Sequence, residues 1–61
     1  NINIVIQING KKRGLIITKP NVTEEALFDI INKDKTINKY LIGNKLKRKI
    51  YIKDKLMNII I

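Results

Sequence analysis

Lys11-Lys12-Arg13 and the run Lys45-x-Lys47-Arg48-Lys49 hold most of the side chains in this 61-residue sequence that could do chemistry; Lys39 and Lys55 stand nearby in the chain. Ammonium and guanidinium groups donate hydrogen bonds, accept none and keep their charge, which suits them to phosphate oxygens. Little else is chemically equipped. Without histidine or cysteine there is no imidazole base, no thiolate nucleophile and no usual transition-metal ligand set. Glu24, Glu25 and Asp29 lie within one helical stretch and read as helix-start and surface charges rather than an acid–base pair. Thr18, Thr23 and Thr36 have no base to activate them. Gly10 and Gly14 enclose Lys11-Lys12-Arg13, which is not the spacing of a phosphate-cradling glycine loop. The sequence therefore predicts no catalytic residue, no metal site and no cofactor of its own.

The formal net charge is +8, from thirteen basic against five acidic residues. Isoleucine, asparagine and lysine make up 34 of the 61 residues, and all three have A/T-rich codons, so base composition alone accounts for much lysine. Its distribution says more. Residues 1–22 carry +4, residues 23–44 carry −1 and residues 45–61 carry +5. Codon bias would scatter lysine evenly. Charge gathered in the outer thirds instead predicts a basic face and a polyanionic partner. Phe28, Tyr40 and Tyr51 are the only aromatic residues. The first two are expected to pack helices, and Tyr51 alternates with Lys47, Lys49 and Lys53 toward the surface. One ring is a poor platform for unpaired bases, so a structured RNA read through phosphates and shape fits better.

These residues need a scaffold. Ile2, Ile4, Ile6 and Ile8 alternate with other residues, the period of a half-buried strand. Asn9-Gly10 supplies the turn, and the return strand runs roughly from Arg13 to Thr18. Direct pairing across a two-residue loop would set Arg13 against Ile6. A bulged, odd loop that pairs Ile6 with Gly14 and Gln7 with Arg13 is expected instead, sending Arg13 to the solvent side. Pro20 ends that strand, and Asn21 or Thr23 caps a helix whose buried stripe is Leu27, Ile30 and Ile31. Asn32 to Lys35 is a break. Thr36 is expected to cap a short second helix with Ile37, Tyr40 and Leu41 inward, ended by Gly43. Lys45–Ile52 and Leu56–Ile61 complete the set as strands joined by a turn at Lys53-Asp54-Lys55. The prediction is one α+β domain over residues 1–61, ordered ββααββ, with a mainly antiparallel four-stranded sheet and both helices on one face. No apolar run approaches the ~20 residues of a membrane span, so a soluble, cytoplasmic, monomeric piece of a longer chain is expected.

Three stretches, in order, resemble a known family: IVIQINGKKRG from Ile4 to Gly14, TEEAL from Thr23 to Leu27, and NKYLIGNKLKRKIYIKDKLMNIII from Asn38 to Ile61. Together they cover nearly the whole chain and look like the extreme C-terminal domain of bacterial-type leucyl-tRNA synthetases. The most specific parts are Val5 and Ile8 leading into Asn9-Gly10-Lys11-x-Arg13, then Lys39-Tyr40-Leu41-x-Gly43 and Ile50-Tyr51-Ile52-x-x-Lys55-Leu56-x-Asn58. The resemblance implies a small domain, tethered to a class I synthetase, that reaches the outer corner of leucine tRNA near its long variable arm. Its implied partners are that tRNA and the rest of the synthetase chain; ATP belongs to the parent enzyme. Lys11, Arg13, Lys39, Lys47, Arg48 and Lys55 match basic positions of the family. With their neighbours Lys12, Lys45 and Lys49 they form the expected RNA-binding set. Departures occur as well. Lys53-Asp54 stands where the family usually has a Pro-Gly turn, Lys12 and Lys49 replace commonly apolar residues, and Pro20 is displaced by one position. A second resemblance, of the hairpin, helix and two strands to ubiquitin-like β-grasp adaptors, implies a protein-interaction module instead.

Overall fold

The computed structural model describes all 61 residues, Asn1–Ile61. Strands β1 (Ile2–Ile8) and β2 (Lys11–Thr18) form the first hairpin. Helices α1 (Glu24–Lys33) and α2 (Lys35–Asn38) follow, then β3 (Arg48–Ile52) and β4 (Leu56–Ile60). The sheet order is β2-β1-β4-β3. Both hairpins are antiparallel, and the central β1–β4 pair is parallel. The expected ββααββ order and mainly antiparallel sheet are therefore present, with one parallel pair where the two hairpins meet.

The isoleucine alternation does what its period dictates. Ile4, Ile6 and Ile8 point to one side and join Ile16, Met57 and Ile59 beneath Leu27, Ile31 and Ile37 of the helices. No polar side chain is buried among these nine. Each fully buried aliphatic side chain contributes ~1.5–3 kcal/mol, and with no cysteine in the chain this cluster has no disulfide to assist it. Ile30, expected in the stripe, is 37% exposed; Phe28 packs against the cluster in its place.

Capping agrees with expectation at the first helix and departs from it at the second. Of the two candidate caps for α1, Thr23 is the one used, accepting a hydrogen bond from the Ala26 amide at 3.1 Å. Asp34, not Thr36, caps α2, its Oδ1 accepting from the amides of Thr36 and Ile37. A carboxylate two residues ahead of Thr36 offers the stronger acceptor for the two free amides of that first turn. Asn21 has another role: its backbone has φ 65°, and its amide donates to Asp54 Oδ1 at 2.8 Å.

The third strand is shorter than the sequence suggests. Lys45 and Lys47 lie in the loop ahead of it, and the loop is anchored where the Lys47 amide donates to the Ile60 carbonyl at 2.8 Å. Within β3, Lys49 and Tyr51 point to the helix side, while Arg48, Ile50 and Ile52 point away. This reverses the expected placement of Tyr51. Its hydroxyl donates to the Val22 carbonyl at 2.7 Å and accepts from the Asp54 amide at 3.3 Å, so the ring is half-buried. The reason lies in register: Tyr51 pairs with the core residue Met57, and strand pairs share a face.

Candidate nucleic-acid interface

One end of the sheet is built around the Asn9-Gly10 turn. Both residues have positive φ, 52° and 82°, the geometry of a type I′ hairpin turn. Side chains tie this turn to the end of β4. Asn9 Oδ1 accepts from the Ile61 amide at 3.0 Å, and the Gly10 amide donates to Asn58 Oδ1 at 2.9 Å. The Asn9 amide adds a bond to the Ile59 carbonyl at 2.9 Å.

The bulge lies farther from the turn than expected. Ile8 pairs directly with Lys11 and Gln7 with Lys12; Ile6 pairs with Gly14 as foreseen, which leaves Arg13 as the extra residue. Arg13 is exposed, as expected, but it emerges on the side of the helices and not on the free face of the sheet. Its guanidinium carbon lies 5.0 Å from the centre of the Tyr40 ring, just beyond α2. A bulge can re-aim a side chain in this way: regular alternation after Lys12 would make Arg13 face with Lys11 but give Gly14 the wrong side, and the extra residue satisfies both. Gly14 has to be small, since a Cβ there would meet Ile37 Cδ1 and Cγ1 at 2.6 Å.

Lys39 approaches the same ring, with Nζ 5.3 Å from its centre. The two cations therefore lie within about 10 Å of each other, a Debye length at 0.1 M salt, and an anion feels them as one patch. Lys11, Arg13, Lys39, Tyr40, Asn9 and Asn44 line an open cleft of about 400 Å³, with Ile8 and Ile61 completing it. Asn44 Nδ2 donates to the Tyr40 carbonyl at 2.9 Å and closes the loop after α2 onto the site. Such a concavity offers cationic donors, amide groups and one ring, the set that phosphate, ribose and base edges require.

The nine basic residues of the sequence reading divide in space. Lys11, Arg13 and Lys39 converge on the cleft. Lys45 and Lys47 lie on the loop following Asn44, beside it in the chain. Lys12 and Arg48 point from the sheet face opposite the helices. Lys49 is half-buried with Nζ 4.3 Å from the Phe28 ring centre, so its stem packs inward while its charge rests on the ring. Lys55 belongs to the β3–β4 turn at the other end of the sheet, where its carbonyl accepts from the Val5 amide. Asn9, Tyr40 and Asn44 were missed as site residues. Asn9 reads as a turn former and Tyr40 as helix packing, and only the Lys39-Tyr40 adjacency hinted at a cation-flanked ring. The structure holds no group of three or more histidine, cysteine, aspartate or glutamate side chains placed to bind a metal, and no helix long and apolar enough to cross a membrane.

Fold and cleft define a class: a small α+β domain that presents clustered cations at one end of a mixed sheet. No family model matches the chain. Among known proteins, it is 41% identical over 58 residues to the leucine–tRNA ligase of Buchnera aphidicola, covering 95% of this chain and 7% of that protein. It is 38% identical over 60 residues to the leucine–tRNA ligase of Thermosipho melanesiensis, covering 98% of the chain and again 7% of the relative. The fold matches part of the crystal structure of the ternary complex of Agrobacterium radiobacter K84 agnB2 LeuRS with tRNA and LeuAMS. There the TM-score is 0.88 at 24% identity, over 97% of this chain and 8% of that one. The chain belongs to the leucyl-tRNA synthetase family, as its C-terminal domain. It spans about one-fourteenth of the length of those relatives.

Proposed function

We propose that these 61 residues are the tRNA-docking domain of a leucine–tRNA ligase, a class I, ATP-dependent enzyme of the cytoplasm whose catalytic sites lie elsewhere in its chain. In this reading the domain holds the outer corner of leucine tRNA near the variable arm, assisting aminoacylation and editing. The observation that carries it is the convergence of Lys11, Arg13 and Lys39 on one cleft, together with family membership. Lys45 and Lys47 extend the charge along the adjoining loop. Contacts of this kind fix position and shape rather than sequence. They need not be tight, because a tether raises the local concentration of the domain toward the mM range once the enzyme holds its tRNA.

Equilibrium binding of leucine tRNA to the full-length synthetase, across 50 to 200 mM salt, tests this. Lys11→Ala/Arg13→Ala should weaken binding about tenfold and flatten the slope of log affinity against log salt by about 1.5, at ~0.7–0.9 per phosphate contact. Unchanged affinity together with an unchanged slope removes the cleft from the interface. The β-grasp adaptor reading has no comparable support, since the relatives over the whole chain are synthetases.

A further inference from the structure

The sheet face turned away from the helices sets Asn3, Gln7, Lys12, Arg48 and Asn58 around an aliphatic centre. One row of paired residues crosses all four strands on that side: Leu15, Val5, Leu56 and Ile52. Every member is aliphatic. Ile17 and Ile50 flank the row, and Leu15, Ile17, Ile50 and Ile52 are 44%, 66%, 38% and 50% exposed. A free sheet face normally carries polar residues outward, and the rows on either side of this one do, with Asn3 beside Ile17 and Lys12, Gln7 and Asn58 beside Ile50, whereas the central row has none.

Resting on the synthetase reading, we infer that this aliphatic row docks on an aliphatic, carboxylate-rimmed surface elsewhere on the same polypeptide. Three observations choose that occupant. The face carries Lys12 and Arg48 at its two edges, and none of the five acidic residues lies in any strand, so its partner's rim must be acidic. Leu15, Val5, Leu56 and Ile52 offer only aliphatic side chains, with no donor for a phosphate or ribose, and all three aromatic rings are on the helix side. The exposed apolar area is on the order of 500 Å², short of the ~800 Å² per partner typical of stable free complexes. A patch of that size is too small to hold a free second copy but adequate for a tethered surface at high local concentration. The relatives provide such a surface in principle, since the chain spans only 7% of their length. With the cleft at the turn end and the aliphatic row on the opposite face, the domain can bind RNA and protein together.

Photo-crosslinking in the full-length synthetase tests the inference. Ile17, on edge strand β2 and largely exposed, is replaced by p-benzoylphenylalanine, and adducts are mapped by mass spectrometry with and without tRNA. The expected product joins position 17 to a segment of the same polypeptide outside these 61 residues. Leu15→Glu/Ile52→Glu in the same protein should cut its yield at least fivefold while circular dichroism stays unchanged. Adducts to tRNA, adducts between two isotopically distinguished copies, or no adduct at all would overturn it. Loss of the synthetase reading is separate: it appears as tRNA binding indifferent to Lys11 and Arg13, whatever position 17 touches.

Discussion

The two hairpin turns of this domain both carry lysines, yet they are built for different ends. At Asn9-Gly10 both turn residues adopt positive φ, with glycine at the third position, and amide side chains bind the turn to the last strand. Around that rigid end the chain gathers Lys11, Arg13 and Lys39. At Lys53-Asp54-Lys55 the turn holds its own acidic residue, with Asp54 at φ 62° and its carboxylate committed to the Asn21 amide. Lysines there flank a negative charge and lie apart from the cleft. Lysine count alone would rank these ends alike; the difference arises from which other elements bring cations to each. In the first, α2 and the Arg13 bulge do so.

Breaking the first end should have the largest effect. Gly14 lies against Ile37 of α2, so Gly14→Val drives side-chain atoms into a fully packed contact. Overpacking of this kind costs ~1–3 kcal/mol, and the melting temperature of a domain this small should fall by roughly 5–20 °C. Thermal unfolding followed by circular dichroism reads it. Because α2 leads into Lys39 and Tyr40, tRNA affinity should fall as well, even well below the melting temperature.

Next in size is a direct contrast of charges. Lys53→Ala/Lys55→Ala removes as many cations as Lys11→Ala/Arg13→Ala, but from the far end. Its loss of tRNA affinity should stay under about twofold, against about tenfold for the cleft pair, with the salt slope reduced by less than ~0.5. Equal losses would mean that total charge, not the cleft, governs binding.

Tyr51 sharpens the structural side of the comparison. Its hydroxyl joins Val22, ahead of α1, to the Asp54 turn. Tyr51→Phe removes a donor and an acceptor at a half-buried position and should cost ~1 kcal/mol, measured by denaturant titration. Affinity for tRNA should be unchanged, in contrast to what an exposed stacking ring would show.

Much of this arrangement was legible in the sequence, and what was not has a physical pattern. Period-two isoleucines, the Asn9-Gly10 turn and the Leu27 and Ile31 spacing announce strands, hairpin and helix because each is local. The pairing of Ile6 with Gly14 was readable too, since only a bulge keeps Arg13 from facing Ile6. Three features depend on distant partners and were hidden. The side on which Arg13 emerges depends on Tyr40, twenty-seven positions away. The inward turn of Tyr51 depends on its register with Met57. Lys49 reads as a surface charge until Phe28 is found beneath its ammonium. The basic residues were identifiable one by one, but their division between a cleft, a sheet face and a far turn follows from topology.

The smallest expected effect addresses the strain at the far turn. The turn closes through the Lys55 amide to the Ile52 carbonyl at 3.0 Å, with Asp54 in the third position and φ positive. That position of a turn favours glycine, which explains the Pro-Gly pair that the family resemblance places there. Asp54→Gly relieves a left-handed conformation that costs an ordinary residue ~1–2 kcal/mol and an aspartate less. Against this stand the added freedom of glycine in the unfolded chain, ~0.5–1 kcal/mol, and loss of the carboxylate that holds Asn21. The Asn21 bond is exposed to water and its loss costs little, so relief and glycine freedom nearly cancel and stability should change by less than ~0.5 kcal/mol. Asp54→Ala has no such relief: it keeps the strained backbone, loses the acceptor, and should be the less stable of the two. If alanine proves the equal of glycine in parallel denaturant titrations, the positive φ carries no cost, and the contrast between a turn with glycine at its third position and one with aspartate there fails.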